Sequence, residues 1–438
     1  MEKVHLKRTK RILDGHLWVF SNELYENPKK YDPGSIVEIY DMKDVFLGIG
    51  YINPHSLISI RILSREKESI DREFFRKRIK AAFELRRRFF RTNPHERWLT
   101  KGRENLPPSP TPPVEGGESN VVPSPLVGEG EGEGRFDGFF GTRDAIRLVF
   151  SEGDYLPGLI VDKYKDCLVL QILTLGMEAL KGTVISLLDE MLSPEIIILK
   201  NDSRMRSLEG IPLYKEIIKG SLQSLPVINE DGVLFEIDPY EGQKTGFFLD
   251  QRENRTELRD FIKGGKGLDL FCYTGAWSLR LASLVEQVTG VDESERAITQ
   301  AQKNAELNSF SEKARFIKSD VFSFLKDEIG KGEKRYDFIV LDPPAFVKSS
   351  GKIKEAIKAY RQLNEMSMRL IKSGGILATS SCSYHMSREM FLDMLHSAGR
   401  GAGRNLRLLS LRSQNHDHPV LLSMPETEYL KCAFLVVD

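Results

Sequence analysis

Four acidic residues recur at one kind of position in the second half of this 438-residue chain. Asp269, Asp292, Asp320 and Asp342 each stand at or beside the end of a short apolar run that gives way to a loop. One acid after a strand is usually a helix N-cap, because its oxygen satisfies an orphan N–H. Four in succession suit a ligand rich in hydroxyl and amino groups. Asp292 lies 23 residues after Asp269 and is placed to accept from two ribose hydroxyls. Asp320 can contact an adenine amino group. The loop Asp269-Leu-Phe-Cys-Tyr-Thr-Gly275 has one glycine, not the three that let a backbone approach a dinucleotide pyrophosphate. The cluster Gly264-Gly-Lys-Gly267 precedes its strand and lacks the phosphate-loop spacing. A ribose, an adenine and no pyrophosphate describe S-adenosylmethionine.

Asp342-Pro-Pro344 follows the fourth run. Its two prolines fix φ and remove two N–H donors, so Pro343 and Pro344 make a stiff loop with free carbonyls. Phe346 just beyond can stack on a flat base. At this strand end the motif favours methylation of a planar nitrogenous ring. Cys382, among Ser380, Ser381 and Ser383, suggests which atom. Carbon 5 of a pyrimidine is a poor nucleophile. A thiolate that adds at carbon 6 makes carbon 5 enamine-like and able to attack a sulfonium methyl. Methylation of an amine or a ring nitrogen needs no cysteine. Cys167 and Cys432 read as small buried hydrophobes, and Cys272 can simply pack in its loop. His416-Asp-His418 lacks a third ligand nearby and reads as a turn before Pro419, so no metal is expected.

These residues need a scaffold that brings strand ends together. From about Lys263, apolar runs alternate with helical patterns, from Leu268–Phe271 and Ala276–Leu284 to Tyr429–Val437. That alternation predicts a doubly wound, mostly parallel sheet that binds ligands at the carboxyl ends of its strands. Tyr240–Arg252, with glycines, aromatics, an amide and charge, suits a loop covering the ligand. Residues 1–70 show short strands at Ser35–Tyr40, Val45–Ile52 and Leu57–Leu63, which suggests a small barrel. Asp71 is a plausible N-cap for a helix whose Phe75, Ile79, Ala82 and Phe83 share one face. Nine Lys/Arg lie between Arg72 and Arg91. They are either a solvated face or, with Arg76, Arg86 and Arg87, a phosphate-facing surface. Strands at Ile146–Ser151, Leu159–Tyr164, Cys167–Thr174 and Glu195–Lys200, with a helix at Glu178–Leu192, indicate a small α+β middle region. Between them, 101–134 hold seven Pro and seven Gly and no aromatic residue, and read as a disordered insertion. The expected division is 1–70, 71–230 and 231–438.

Lys+Arg and Asp+Glu are 63 each, and the formal net charge is zero. Taken whole, that argues against a strongly basic nucleic-acid binder. By segment the balance is +7 for 1–100, −4 for 101–137 and −3 for the rest, so the basic excess lies at the N-terminal end. The charged N-terminus is no secretory signal, and no apolar run approaches the roughly 20 residues of a membrane span. Four widely separated cysteines argue against a disulfide scaffold. A cytoplasmic protein without membrane partners is expected.

Taken together, Gly15–Ser21, Leu156–Asp162, Gly242-Gln-Lys-Thr-Gly-Phe-Phe-Leu-Asp-Gln251, Leu270–Gly275, Leu341–Pro344 and Ser381–Ser383 resemble a known family. It is the PUA-domain 23S rRNA 5-methylcytosine methyltransferases, and the likeness covers nearly all the chain outside 101–134. The resemblance implies an α/β, Rossmann-like class I methyltransferase domain with an N-terminal β-barrel PUA domain and a small α+β middle domain. It implies S-adenosylmethionine as cofactor and 23S rRNA, or a precursor of the large ribosomal subunit, as partner, and it leaves a homodimer open. It places Lys244, Thr245 and Phe247 near the cofactor. The methionine part falls to Asp269 with Phe271, Tyr273, Thr274 and Gly275, the ribose to Asp292 and the adenine to Asp320. It makes Cys382 the nucleophile and Asp342 a contact to the target base. Ala345-Phe346 follows Asp-Pro-Pro where another group of such enzymes has a second cysteine, so the group that removes the carbon-5 proton stays unassigned. Methylation at a nitrogen, or an RNA-binding assembly factor with a vestigial fold, remain the alternatives.

Overall fold

The structure, a computed structural model, describes residues 1–90, 143–332, 334–346 and 353–438. The Pro/Gly-rich stretch 101–134 lies outside the described residues. At the N-terminal end, five strands follow one another across a sheet in the order Glu2–Leu6, Ile36–Asp41, Phe46–Ile52, Ile58–Ser64 and Trp18–Phe20. The alternation in Ile36–Asp41 turns Val37 and Ile39 inward, where they are fully buried. The segment from Trp18 to Tyr25 closes the sheet. On one side Trp18–Phe20 pairs with Ile58–Ser64. On the other, Lys7 N–H donates to Glu23 O and Tyr25 N–H to His5 O, both at 2.8 Å. Both edges are thereby used, as a barrel requires.

The second sheet runs Tyr214–Lys219, Ile196–Asn201, Cys167–Ile172, Leu159–Tyr164, Ala145–Phe150. One face packs on helices Arg72–Phe90 and Leu175–Leu192 through Phe75, Ile79, Phe83, Leu148, Val161 and Leu187. Asp71 caps the first helix as expected, accepting from Phe74 N–H at 3.0 Å. The opposite face, with Tyr164, Val169 and Ile198, joins the core of the C-terminal region.

That region is a seven-stranded sheet. Its order is Ala314–Lys318, Gln287–Asp292, Lys266–Leu270, Tyr336–Leu341, Ile371–Ser381, Lys431–Val437, Leu406–Arg412. Only Lys431–Val437 runs against the others. Alternate residues of Phe338-Ile-Val-Leu341 feed opposite cores, because a strand covered on both faces has two apolar faces. Phe338 and Val340 meet Trp277, Leu279 and Leu258. Ile339 and Leu341 meet Tyr360, Leu363 and Phe391. A mostly parallel sheet with apolar cores on both faces, preceded by a small barrel, is the doubly wound arrangement that the strand–helix alternation predicts. No helix among the described residues is long and apolar enough to cross a membrane.

Candidate active site

A cavity of about 300 Å³ opens at the carboxyl ends of the parallel strands. Lys266–Leu270 lies between Gln287–Asp292 and Tyr336–Leu341 there, and the chain order reverses. This is where open α/β sheets hold ligands. Lys244, Phe247, Phe271, Tyr273, Thr274, Asp292, Asp320, Asp342, Pro343, Pro344, Phe346 and Cys382 all line this one space.

The loop after the first strand is held in unusual backbone geometry. Phe271 and Tyr273 have φ of 62° and 47°, a region that costs L residues energy and persists only where surroundings impose it. The imposing contacts are visible. Tyr273 N–H donates to Asp292 at 3.0 Å, and its hydroxyl accepts from Gln243 N–H at 2.8 Å. Ser294 N–H reaches the other Asp292 oxygen at 2.9 Å. Gly275 does not line the cavity. At φ of 82° it starts the helix Ala276–Ala282, and a Cβ there would meet the Phe316 ring at 2.8 Å.

Three other expected cofactor residues have distinct surroundings. Asp320 lines the cavity and also caps the helix Val321–Gly330, accepting from Ser323 N–H at 2.8 Å. Thr245 is fully buried and points away, bonded to Asp162 and, at 2.9 Å, to the Tyr164 hydroxyl. Asp269 is also fully buried. It accepts from Ser278 N–H at 3.0 Å and Ser278 Oγ at 2.7 Å, while its Oδ1 has no partner. Burial pushes its carboxyl up to about 7. Neither residue lines the cavity; Asp269 is bonded to the helix Ala276–Ala282 and Thr245 to the strand Leu159–Tyr164.

The second half of the cavity centres on Asp342. Gln251 Nε2 lies 3.1 Å from each of its oxygens, and Trp277 Nε1 donates to Oδ2 at 3.1 Å. Burial raises its pKa. Gln251 is fixed in turn by Asn254, whose amide donates to Oε1 at 2.7 Å. Tyr360 binds Pro344 O at 3.3 Å and Ser383 Oγ at 3.0 Å, linking the Asp-Pro-Pro loop to the cysteine loop. Phe346 packs edge-on against Tyr360, with ring centroids 4.8 Å apart. Lys244 Nζ pairs with Asp250 at 2.6 Å, and the Tyr429 hydroxyl donates to the same oxygen at 2.6 Å. Against its burial, these partners hold Asp250 well below the usual carboxylate range. Its Oδ1 is buried without a partner. Burial pushes the half-buried Cys382 thiol up to about 11. Lys244 draws it down, and Asp342 and Asp250 oppose that. Asp250, Gln251, Trp277 and Tyr429 were not singled out from sequence. Only Gln251 and Asp250 carried a signal, inside the glycine-rich loop run.

The basic helix differs from its expected role at one named residue. Arg86 is 1% exposed. It forms a bidentate pair with Asp154 and donates to Asp417 O at 2.7 Å. A guanidinium already saturated inside the protein cannot meet a phosphate, so Arg86 is removed from the RNA-facing set. Arg76 pairs with Glu190 at 2.6 Å, and Arg87 with Glu84 at 2.9 Å. Both keep part of their surface in solvent. His418 is buried on Asp417 at 2.6 Å, and His416 pairs with Glu253 at 2.6 Å. Among the described residues no group of three His, Cys, Asp or Glu side chains is arranged to hold a metal ion.

Residues 3–65 match the PUA-like domain model, and residues 262–417 a methyltransferase domain model. The ribosomal RNA large subunit methyltransferase I of Pseudoalteromonas atlantica is 31% identical over 431 residues, covering 98% of this chain and 97% of that protein. The protein of the same name from Escherichia coli O157:H7 is 32% identical over 429 residues, with 97% and 96% covered. A solved structure described as a methyltransferase complexed with SAH superimposes with a TM-score of 0.78 at 19% identity, over 99% of this chain and all of that one. A SAM-dependent methyltransferase structure from Streptococcus mutans gives 0.75, also at 19% identity and with the same coverage. At that identity these two establish the fold.

Proposed function

We propose that this chain, which belongs to the ribosomal RNA large subunit methyltransferase I family, forms 5-methylcytosine in large-subunit ribosomal RNA with Cys382 as nucleophile. S-adenosylmethionine is its cofactor. The observation that carries the reading is one of position. Cys382, just past the end of Ile371–Ser381, lines the same cavity as Asp292, Asp320 and Asp342.

The cavity's donor set fits this cofactor. Asp292 is held only by backbone N–H groups and has acceptor capacity left for ribose hydroxyls. Asp320 stands at the next strand end for the adenine. Asp250 brings an unpartnered buried oxygen. The Phe271–Thr274 loop borders the methionine portion. When bound, S-adenosylmethionine supplies an electrophilic methyl group on a sulfonium. The chain's residues do the rest. Asp342, fixed by Gln251 and Trp277, hydrogen-bonds the ring of a flipped cytosine, and Pro343, Pro344 and Phe346 shape its pocket. The Cys382 thiol loses its proton to water, and its sulfur bonds to carbon 6. The displaced π pair makes carbon 5 nucleophilic. After methylation the carbon-5 proton leaves to water, the ring double bond re-forms, and the C–S electron pair returns to sulfur. On this reading 1–70 hold RNA, 71–230 brace the cofactor loop, 231–438 perform the transfer, and the enzyme works in the cytoplasm. Arg76 and Arg87 remain candidates for phosphate contact.

One observation favours a second reading, methylation at a ring or exocyclic nitrogen. With its pKa near 11, Cys382 is a thiol at neutral pH in the ligand-free cavity. Large-subunit rRNA carrying 5-fluorocytosine separates the two, because the fluorine blocks elimination and traps the adduct. A stable complex lost in Cys382→Ala is the expected result. Turnover with no adduct, and a methyl group mapped to nitrogen, would overturn the proposal.

A further inference from the structure

Lys431 sits behind the cavity wall in the strand Lys431–Val437 and is 3% exposed. It faces Ser381, the residue before Cys382, across the sheet. Its Nζ donates to the carbonyl of Ser383, the residue after Cys382, at 2.8 Å, and to that of Tyr429 at 3.0 Å. It makes no ion pair among the described residues. A buried ammonium without a counter-ion is costly, because neutral carbonyls replace only part of its hydration. Burial accordingly draws Lys431 down to about 8, and the same cause pushes Cys382 up to about 11. The two penalties have opposite sign of charge, so an ammonium and a thiolate formed together relieve both.

The groups around this pair can be named. Lys244 and Asp250 face it from the cofactor loop and Asp342 from the adjoining strand end. Tyr360 faces it from the helix Ile353–Leu370 and Tyr429 from the segment just before the final strand. Glu428, paired with Arg388, also acts on Lys431. Lys244 is already committed to Asp250. Among the described residues Lys431 is the cation near Cys382 that has no acidic partner.

We propose that Lys431 is a positioning residue for Cys382, its carbonyl-tethered ammonium stabilising the thiolate that attacks carbon 6 and that re-forms on elimination. The inference rests on the reading of Cys382 as nucleophile. No co-reactant is needed: the thiol proton passes to water, and the lysine keeps its own.

The test is the rate at which iodoacetamide alkylates the full chain as a function of pH. Cys167, Cys272 and Cys432 are buried, and Cys382→Ser supplies the blank. Lys431→Gln retains N–H donors for both carbonyls but removes the charge. Lys431→Arg retains the charge. At pH 7, where Lys431 still carries its proton, Lys431→Gln should react about tenfold more slowly than the parent, as its thiol titrates about one unit higher, and Lys431→Arg within about twofold. A purely structural lysine would leave the Lys431→Gln profile unmoved, and that result overturns the proposal. Where Lys431→Gln does not fold, the Lys431→Arg profile decides: retained reactivity supports the proposal and a tenfold loss overturns it. Failure of the parent chain to trap 5-fluorocytosine RNA would sink the functional reading instead, while the alkylation profile still judges Lys431.

Discussion

In the helix Arg72–Phe90, Arg86 meets the carboxylate of Asp154, and Arg72 and Arg76 both meet Glu190. Around the cavity, Asp342 meets an amide and an indole, and Asp292 meets two backbone N–H groups. Both regions are dense in charge, yet their partners differ in kind. An opposite charge neutralises a side chain and commits it. A neutral donor only orients it, leaving charge and lone pairs for a ligand. What marks a charged residue as functional is therefore the kind of partner the fold supplies, and a run of like charges in the sequence is silent on that.

The comparison can be broken at several points. Cavity variants should lose chemistry with the fold intact, and loss of the buried helix arginine should cost stability instead. Cys382→Ala should bind cofactor normally and transfer methyl at least about a thousandfold more slowly, since nothing replaces a lost nucleophile. Calorimetry and tritium transfer read the two quantities. Arg86→Ala should destabilise the protein by about 3–5 kcal/mol in urea unfolding, because it strands Asp154 as a buried unpaired charge. If Arg86→Ala instead weakens RNA binding at unchanged stability, the assignment of this arginine to the interior is wrong. Asp342→Asn should lower kcat about a hundredfold with little change in cofactor affinity. An equal loss in cofactor binding would move Asp342 from the base to the cofactor.

How far the sequence made this visible depends on where each signal lived. The strand-end acids, Asp-Pro-Pro and Cys382 were legible because a doubly wound sheet brings consecutive strand ends together, so order along the chain becomes adjacency in space. Gln251 and Trp277 reach the same cavity from a loop and a helix, Tyr429 and Lys431 support it from the end of the chain, and no local pattern relates them. Thr245 and Asp269 belonged to the right motifs, but neither lines the cavity, and their side chains bond to a neighbouring strand and helix. Among the elements, Tyr336–Leu341 and Leu159–Tyr164 fall where the pattern put them. The edge strands Tyr214–Lys219 and Leu406–Arg412 escaped notice, since their solvent-facing residues blur the alternation. The hairpin Val227–Glu236 escaped too, although Asp231-Gly232 is a turn signal.

Two smaller effects sharpen the same contrast. Asp231, partly exposed between Arg252 and Arg280, is held at about 2 by those two guanidinium groups against its partial desolvation. It stabilises the fold above the ordinary carboxylate pKa, and that stability is lost as pH falls from about 4 toward 2. Asp269, raised to about 7 by burial, has the opposite sign. Its protonated form is the comfortable one, so stability declines as pH rises from about 4 to 7. Asp269→Asn should flatten that decline in unfolding midpoints measured across the interval. Unchanged slopes would show that Asp269 finds another donor. Last and smallest, Arg87→Ala should change stability by no more than about 0.5 kcal/mol, because a half-exposed i,i+3 pair is screened by water.

The strand Lys431–Val437 has a consequence for biosynthesis. It lies inside the sheet, between Ile371–Ser381 and Leu406–Arg412, although it is made after both. A ribosome delivers the barrel, the middle sheet and the first five parallel strands before this strand emerges. Until then Ile371–Ser381 is an open edge, and the loop carrying Cys382 lacks the lysine that ties down its carbonyl. A nascent chain can thus assemble every cofactor-facing loop yet hold no fixed thiol. Closing the sheet and tethering the cysteine loop are therefore one event, because the last strand supplies both the missing neighbour of Ile371–Ser381 and the lysine bonded beside Cys382.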